Sequence, residues 1–211
     1  MTTKTVHAAV YDTLADWEIG AATAHINNPE WQVAPGTFEV RTVGLTKDPI
    51  TTKGGLRVAP DVVLADLTPA DSAMLILPGA DTWVGPELEP FAHKAREFVE
   101  AGVPVAAICG STFGLAKEGL LDSRKHTSNV AEFLVYSGYS GAEHYVQQPA
   151  VTDDNVITAS STAPFEFARE VLGALGVYEP HILDAWYRLF AHSDPAAYVE
   201  LDTYEQAKSH A

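Results

Sequence analysis

With 211 residues, 46% of them apolar, the chain has the material for one packed core, which sets aside global disorder. Its 28 acidic residues against 13 basic ones leave a net charge of −15, a field that repels phosphate backbones and anionic lipid. No basic run is longer than Arg124-Lys125, so neither nucleic acid nor a membrane is an expected partner, and the single cysteine, Cys109, excludes an internal disulfide and argues against a thiolate zinc cluster.

The first dozen residues pass directly into a short apolar run and lack a charged segment followed by a long hydrophobic one, so no leader is expected. Apolar stretches such as 73–77 and 103–109 fall far short of the ~18–20 residues that span a bilayer. The expectation is a cytoplasmic protein.

Short apolar runs alternate with helical patterns along the chain. Residues 6–11 read as a strand, 16–27 as a helix and 37–43 as a strand. Gly54-Gly55 between two β-prone stretches makes 51–58 a hairpin or a bulged pair. The run Ser-Ala-Met-Leu-Ile-Leu at 72–77 is continuously apolar, as a strand covered on both faces should be, and ends at Pro78-Gly79. A helix over 87–101, closed by Gly102, leads to a second continuously apolar strand, 103–108. A helix over 110–118 follows with no intervening loop, and Gly119 closes it. A short strand is expected at 125–128 and a helix at 129–137 with Asn129 as its N-cap. Strands at 145–151 and 156–160 flank the turn Asp153-Asp154-Asn155. Helices follow at 164–175, with Pro164 in the first turn where its missing N–H is harmless, and at 179–191. The polar, acidic tail from Ser193 reads as either helical or frayed.

This alternation argues for an α/β layered fold with a mainly parallel sheet. With no linker, composition break or internal repeat, one domain spans 1–211, and 193–211 is peripheral to it.

Cys109 stands on the corner where a buried strand ends and a helix begins. Small neighbours (Ala107, Gly110, Ser111) let a tight turn fit, and ligands of open α/β sheets bind at this carboxyl end. The start of the helix carries partial positive charge, which predicts a lowered thiol pKa and a thiolate near neutral pH. The alternative for a lone cysteine in an apolar strand is a small buried hydrophobe.

The order of strand and helix, then Leu-Pro-Gly-Ala-Asp at 77–81, Ala107-Ile108-Cys109-Gly110 before a helix, Arg-Lys-His-Thr-Ser-Asn at 124–129, and Ile157-Thr158-Ala159-Ser160 with Phe165-Glu166-Phe167-Ala168 resembles the ThiJ/PfpI superfamily over roughly 6–177. The resemblance implies a class I glutamine amidotransferase-like fold, that is, a flavodoxin-like three-layer sandwich. It also implies a reactive corner cysteine and a homodimer or higher oligomer. It implies an acidic residue after the first strand that hydrogen-bonds the cysteine; Glu18 matches that position best, and Asp16 is its rival. The residues by themselves allow Asp16 as an N-cap and Glu18 as an ordinary first-turn acid. The Pro78-Gly79 turn matches the family's glycine turn. There the N–H groups of Gly79 and Gly110 either converge on a substrate oxygen near Cys109 or belong to a plain tight turn. Trp83 either walls the mouth of the site or packs beneath its neighbours.

The chain departs from the family at its histidine. Where many relatives end a Thr-Thr-His-like triplet, this chain has Thr127-Ser128-Asn129, so Asn129 takes the histidine's place. His126 lies three residues earlier, an odd offset that turns an extended residue to the other face; it is either a displaced catalytic base or a strand residue. No His-x-x-x-His or His-x-x-Glu-His pair, phosphate loop or G-x-G-x-x-G is present, so neither metal nor cofactor is expected. The resemblance and the corner together point to a cysteine-dependent hydrolase, hydratase or amidase-like enzyme. It would act on a small electrophile through the Cys109 thiolate, with Glu18 shuttling a proton. The alternative is non-enzymatic: a redox-sensing thiol, or a stress or chaperone-type protein.

Overall fold

A computed structural model describes residues 2–209; Met1, His210 and Ala211, the last two from the tail read as peripheral, lie outside the described residues. The chain runs β1 (Lys4–Ala9), α1 (Asp16–Asn27), β2 (Phe38–Gly44), β3 (Ile50–Thr51), β4 (Arg57–Val58), β5 (Val62–Val63), β6 (Met74–Leu77), α2 (Glu89–Glu100), β7 (Val105–Ile108) and α3 (Ser111–Lys117). It continues through α4 (Ala131–Val135), β8 (Ala150–Asp153), β9 (Val156–Ala159), α5 (Pro164–Leu175), α6 (Pro180–His192) and α7 (Pro195–Ser209).

Seven strands form one sheet in the order β5-β2-β1-β6-β7-β9-β8. Every pairing is parallel except β8 with β9. The two-residue period of a strand sorts the core into two layers. Leu75 and Leu77 face α2 and α3, where Phe91, Ala95, Phe98 and Leu115 are fully buried. Met74 and Ile76 face the other way, onto Ile26 of α1, Phe167 and Val171 of α5 and Trp186 of α6. Each of the Val, Leu, Ile, Met and Phe side chains among them contributes about 1.5–3 kcal/mol by leaving water. The result is the flavodoxin-like three-layer α/β fold with a mainly parallel central sheet. No described helix is long and apolar enough to cross a membrane.

Local features depart from the sequence pattern where single side chains take the lead. Residues 125–128 form no strand, only an isolated bridge from His126 to Tyr145. The strand expected from 145 starts at Ala150, because 142–144 is a 3-10 turn. Asn129 is not an N-cap: Val130 precedes α4, and the Asn129 side chain is engaged elsewhere. The tail from Ser193 is helical over α7 and seated on the core through fully buried Ala197 and Leu201.

Candidate active site

Three adjacent parallel strands, β1, β6 and β7, end at one place. The chain crosses from one side of β1 to the other between β2 and β6, which opens the crevice in which such sheets bind ligands. The segment after β1 leads to Glu18, the turn after β6 holds Gly79, and the corner after β7 holds Cys109.

Cys109 has φ of 62°, the left-handed region, while Gly110 is already helical at φ of −59°. For a non-glycine residue this conformation costs about 1–3 kcal/mol, which the surroundings must offset. The corner is tied on every side. The Cys109 N–H donates to the Ala159 carbonyl of β9 at 2.9 Å. The Ser111 hydroxyl accepts from the Ile108 N–H at 2.9 Å and donates to the Leu77 carbonyl of β6 at 2.7 Å. Thr112 donates to the Cys109 carbonyl at 2.6 Å.

Around the half-buried sulfur stand three groups. The Glu18 carboxyl, fully buried on the first turn of α1, stands beside it. The Asn129 amide Nδ2 donates to Sγ at 3.3 Å, oriented by the Ser161 N–H, which donates to Asn129 Oδ1 at 2.8 Å. The Gly110 N–H also points to the sulfur. Glu18 Oε2 accepts the Gly79 N–H at 2.6 Å, and Oε1 is buried without a hydrogen-bond partner in the protein. Only glycine fits at 79: a Cβ there would lie 2.8 Å from both the Cys109 Cβ and Glu18 Oε2.

Two aromatic residues aim that Gly79 N–H. Tyr11 Oη and Trp83 Nε1 both donate to the Pro78 carbonyl, the latter at 2.9 Å. In a trans peptide the C=O and N–H point in opposite directions, so fixing one end directs the other at Glu18. Burial pushes the Tyr11 phenol far up, which keeps its donor proton in place.

Burial raises Glu18 from 4.5 to about 7, partly opposed by the Gly79 N–H, the Cys109 contact and the positive charge of Lys53. Burial also pushes the Cys109 thiol up, and the adjacent Glu18 charge adds to it; the Asn129 and Gly110 donors only partly oppose the rise. The direction is opposite to the lowering that the helix start predicts, because desolvation and a like charge outweigh the first turn of a seven-residue helix.

The expected residues thus divide. Cys109, Glu18, Asn129, Gly79 and Gly110 come together. Asp16 does not join them; its Oδ2 accepts the Gly54 N–H at 2.7 Å. Gly79 is no free oxyanion donor, since its N–H is committed to Glu18. Trp83 is not an exposed wall: it is buried, with its ring against Gly114 of α3, where a Cβ would overlap it. His126 is fully buried and both ring nitrogens are engaged elsewhere, Nδ1 on the Arg124 carbonyl at 2.7 Å and Nε2 on the Tyr139 hydroxyl at 3.1 Å. A carbonyl only accepts, so Nδ1 carries the proton and Nε2 accepts from Tyr139. Burial pulls this histidine's pKa down. Nothing in the sequence pattern marks Lys53, whereas a tyrosine at the carboxyl end of the first strand is a signal for Tyr11. Among the described residues no group of three or more His, Cys, Asp or Glu side chains is placed to hold a metal ion.

A flavodoxin-like sandwich with a left-handed cysteine after a central strand, and a buried carboxyl from the first helix against it, is the arrangement found here. The chain belongs to the DJ-1/PfpI family, whose model matches residues 4–174. It is 41% identical over 204 residues to a Bacillus subtilis (strain 168) protein named uncharacterized protease YoaZ, covering 95% of this chain and 97% of that one. The crystal structure of a thiJ/pfpI family protein from Bacillus anthracis matches with a TM-score of 0.90 at 40% identity, over 97% of this chain and 98% of that one. Similarity also extends to an Escherichia coli (strain K12) protein named protein/nucleic acid deglycase 2, at 32% identity over 129 residues, 59% of this chain and 73% of the other.

Proposed function

We propose that the protein is an enzyme in which the Cys109 sulfur adds to the carbonyl carbon of a small aldehyde while Glu18 carries the proton. The observation behind this reading is the pairing itself: a fully buried carboxyl beside a sulfur held on a left-handed corner. Glu18 is raised to about 7 and burial pushes the thiol up as well, so the Glu18 carboxylate is placed to accept the proton of the sulfur. As the C–S bond forms, the thiol proton passes to Glu18. The carbonyl π pair moves to oxygen, and Glu18 returns the proton there. This step yields a hemithioacetal with nothing oxidised or reduced; for a 2-oxoaldehyde, turnover follows when Glu18 moves the proton on that carbon to the neighbouring carbonyl carbon, leaving a thioester that water cleaves to a 2-hydroxy acid and the free thiol. The Asn129 amide and the Gly110 N–H steady negative charge on sulfur during the transfer.

Addition fits better than peptide acyl transfer, because a departing amine needs its own acid and both His126 nitrogens are engaged elsewhere. The deglycase name of the Escherichia coli relative is in keeping with carbonyl-adduct chemistry. A sensor role is less well supported, since a raised thiol holds little of the thiolate that oxidants attack.

The test is consumption of methylglyoxal. Cys109→Ser should lose measurable turnover, and Glu18→Gln should lose about 10²–10⁴-fold. Wild-type kcat/KM should rise with pH through about 7, as Glu18 becomes a proton acceptor. Turnover retained by Cys109→Ser overturns the reading.

A further inference from the structure

Between β2 and β5, the short β3–β4 hairpin folds as an arm onto the loop that joins β1 to α1. The Thr51 N–H donates to Asp12 Oδ1 at 2.7 Å, and the Thr13 N–H donates to the Thr51 carbonyl at 2.9 Å. The Lys53 N–H donates to the Leu14 carbonyl at 2.8 Å, and the Gly54 N–H to Asp16 Oδ2 at 2.7 Å. These bonds fix residue 53 against the loop that leads into Glu18.

From there the Lys53 Nζ reaches Asp81 Oδ1 at 2.5 Å, and Asp81 is itself held by its N–H to Thr13 Oγ1 at 3.0 Å. Asp81 stands two residues beyond Gly79, where a Cβ would lie 2.9 Å from Cys109 Sγ. The arm therefore carries its ammonium to the mouth of the site, with Glu18 and Cys109 within its field. Asp81 occupies one of the three ammonium donors, and 46% of the Lys53 side chain is open to solvent.

We propose that Lys53 is a substrate-positioning residue of the Cys109 site, and that its ammonium selects a small aldehyde that also bears a carboxylate; this rests on reading Cys109 as a nucleophile. A net charge of −15 repels such an anion from the molecule as a whole. A fixed cation works against that repulsion within about one Debye length, ~8–10 Å, which is the scale of the mouth. Glu18 and the sulfur share one negative charge in the reacting state, and the Lys53 ammonium lets a second anion approach beside it.

Paired alkylating reagents test the proposal without depending on turnover. Iodoacetate and iodoacetamide both place a CH₂ group on sulfur as iodide leaves with the C–I bonding pair, and they differ in a carboxylate against a neutral amide. Their rate ratio at Cys109 is the readout, because a change in thiolate content alters both rates equally and cancels. At pH 8 and low salt, Lys53→Met should lower the iodoacetate/iodoacetamide ratio by about fivefold, and Lys53→Arg should restore it. The double variant Lys53→Met/Asp81→Asn keeps the net charge of the wild type and should still show the low ratio, which ties the effect to the ammonium at the mouth. An unchanged ratio in all three variants, with Cys109 alkylated throughout, overturns the proposal and leaves the nucleophile reading standing. If neither reagent modifies Cys109 in the wild type, the nucleophile reading falls and this proposal falls with it.

Discussion

Glu18 is fully buried, and its raised pKa is a statement about stability as well as chemistry. Raised from 4.5 to about 7, the carboxyl holds its proton more tightly in the folded chain than in the unfolded one. Its contribution to folding is therefore fully present below pH 4.5 and is lost as pH rises to about 7. Above that, keeping the buried carboxylate costs about 3 kcal/mol. Glu18→Gln removes this cost while an amide oxygen still accepts the Gly79 N–H. Urea unfolding should find the variant more stable than wild type by about 2–3 kcal/mol at pH 8 and equal to it near pH 4. A variant less stable at pH 8 would show that the carboxylate is net stabilising where it sits. Cys109, Glu18 and Asn129 were legible in the sequence because a strand–Cys–Gly–helix corner and a family register need only order and spacing. The direction of the thiol shift was not. It depends on how deeply the sulfur is buried and on its contact with Glu18, both of which come from packing between elements far apart in the chain.

At the scale of elements, the continuously apolar runs that became β6 and β7 were plain, because a strand buried on both faces has no polar period to obscure. Short elements were less so. Asn129 reads as a cap, but its amide is drawn to Cys109 and Ser161, and α4 starts without a side-chain cap. Tyr145 and Val146 are β-prone, yet the chain there makes one bridge before β8 begins. The tail was ambiguous because its pattern is weakly amphipathic, whereas the structure anchors it by a clasp. Arg188 of α6 reaches Asp184 at 3.2 Å, Asp194 at 2.7 Å and Glu200 of α7 at 2.6 Å, joining the two helices across the turn at Ser193. Arg188→Ala should leave the central sheet intact and lower amide hydrogen-exchange protection over 195–209. Unchanged protection there would mean that buried Ala197 and Leu201 hold α7 without the clasp.

At the scale of the whole molecule, the alternating pattern was enough to expect a parallel layered sheet, but strand order was not in it. The position of β1 between β2 and β6 follows from which crossover packs on which face, and it is this order that opens the crevice beside Cys109. The likeness to the Bacillus anthracis structure over 97% of the chain extends well past residue 174, where the family match ends, so α6 and α7 belong to the shared architecture of the pair. Charge acts at the same scale. Were every Lys and Arg paired, fifteen carboxylates would still lack a cation, given 28 acidic and 13 basic side chains. Compaction brings those charges together, and their mutual repulsion works against the fold over distances that added salt screens. Salt also weakens surface ion pairs such as Lys117–Glu89 and Lys94–Glu97, but exposed pairs are worth little each. Relief of repulsion should win. The thermal midpoint at pH 8 should climb by several degrees as sodium chloride is raised from about 20 to 300 mM, most steeply at the low end where the Debye length shortens fastest. A midpoint that falls over the same range would mean that the ion pairs, Arg188 and its three carboxylates foremost, outweigh the repulsion among the unpaired acids.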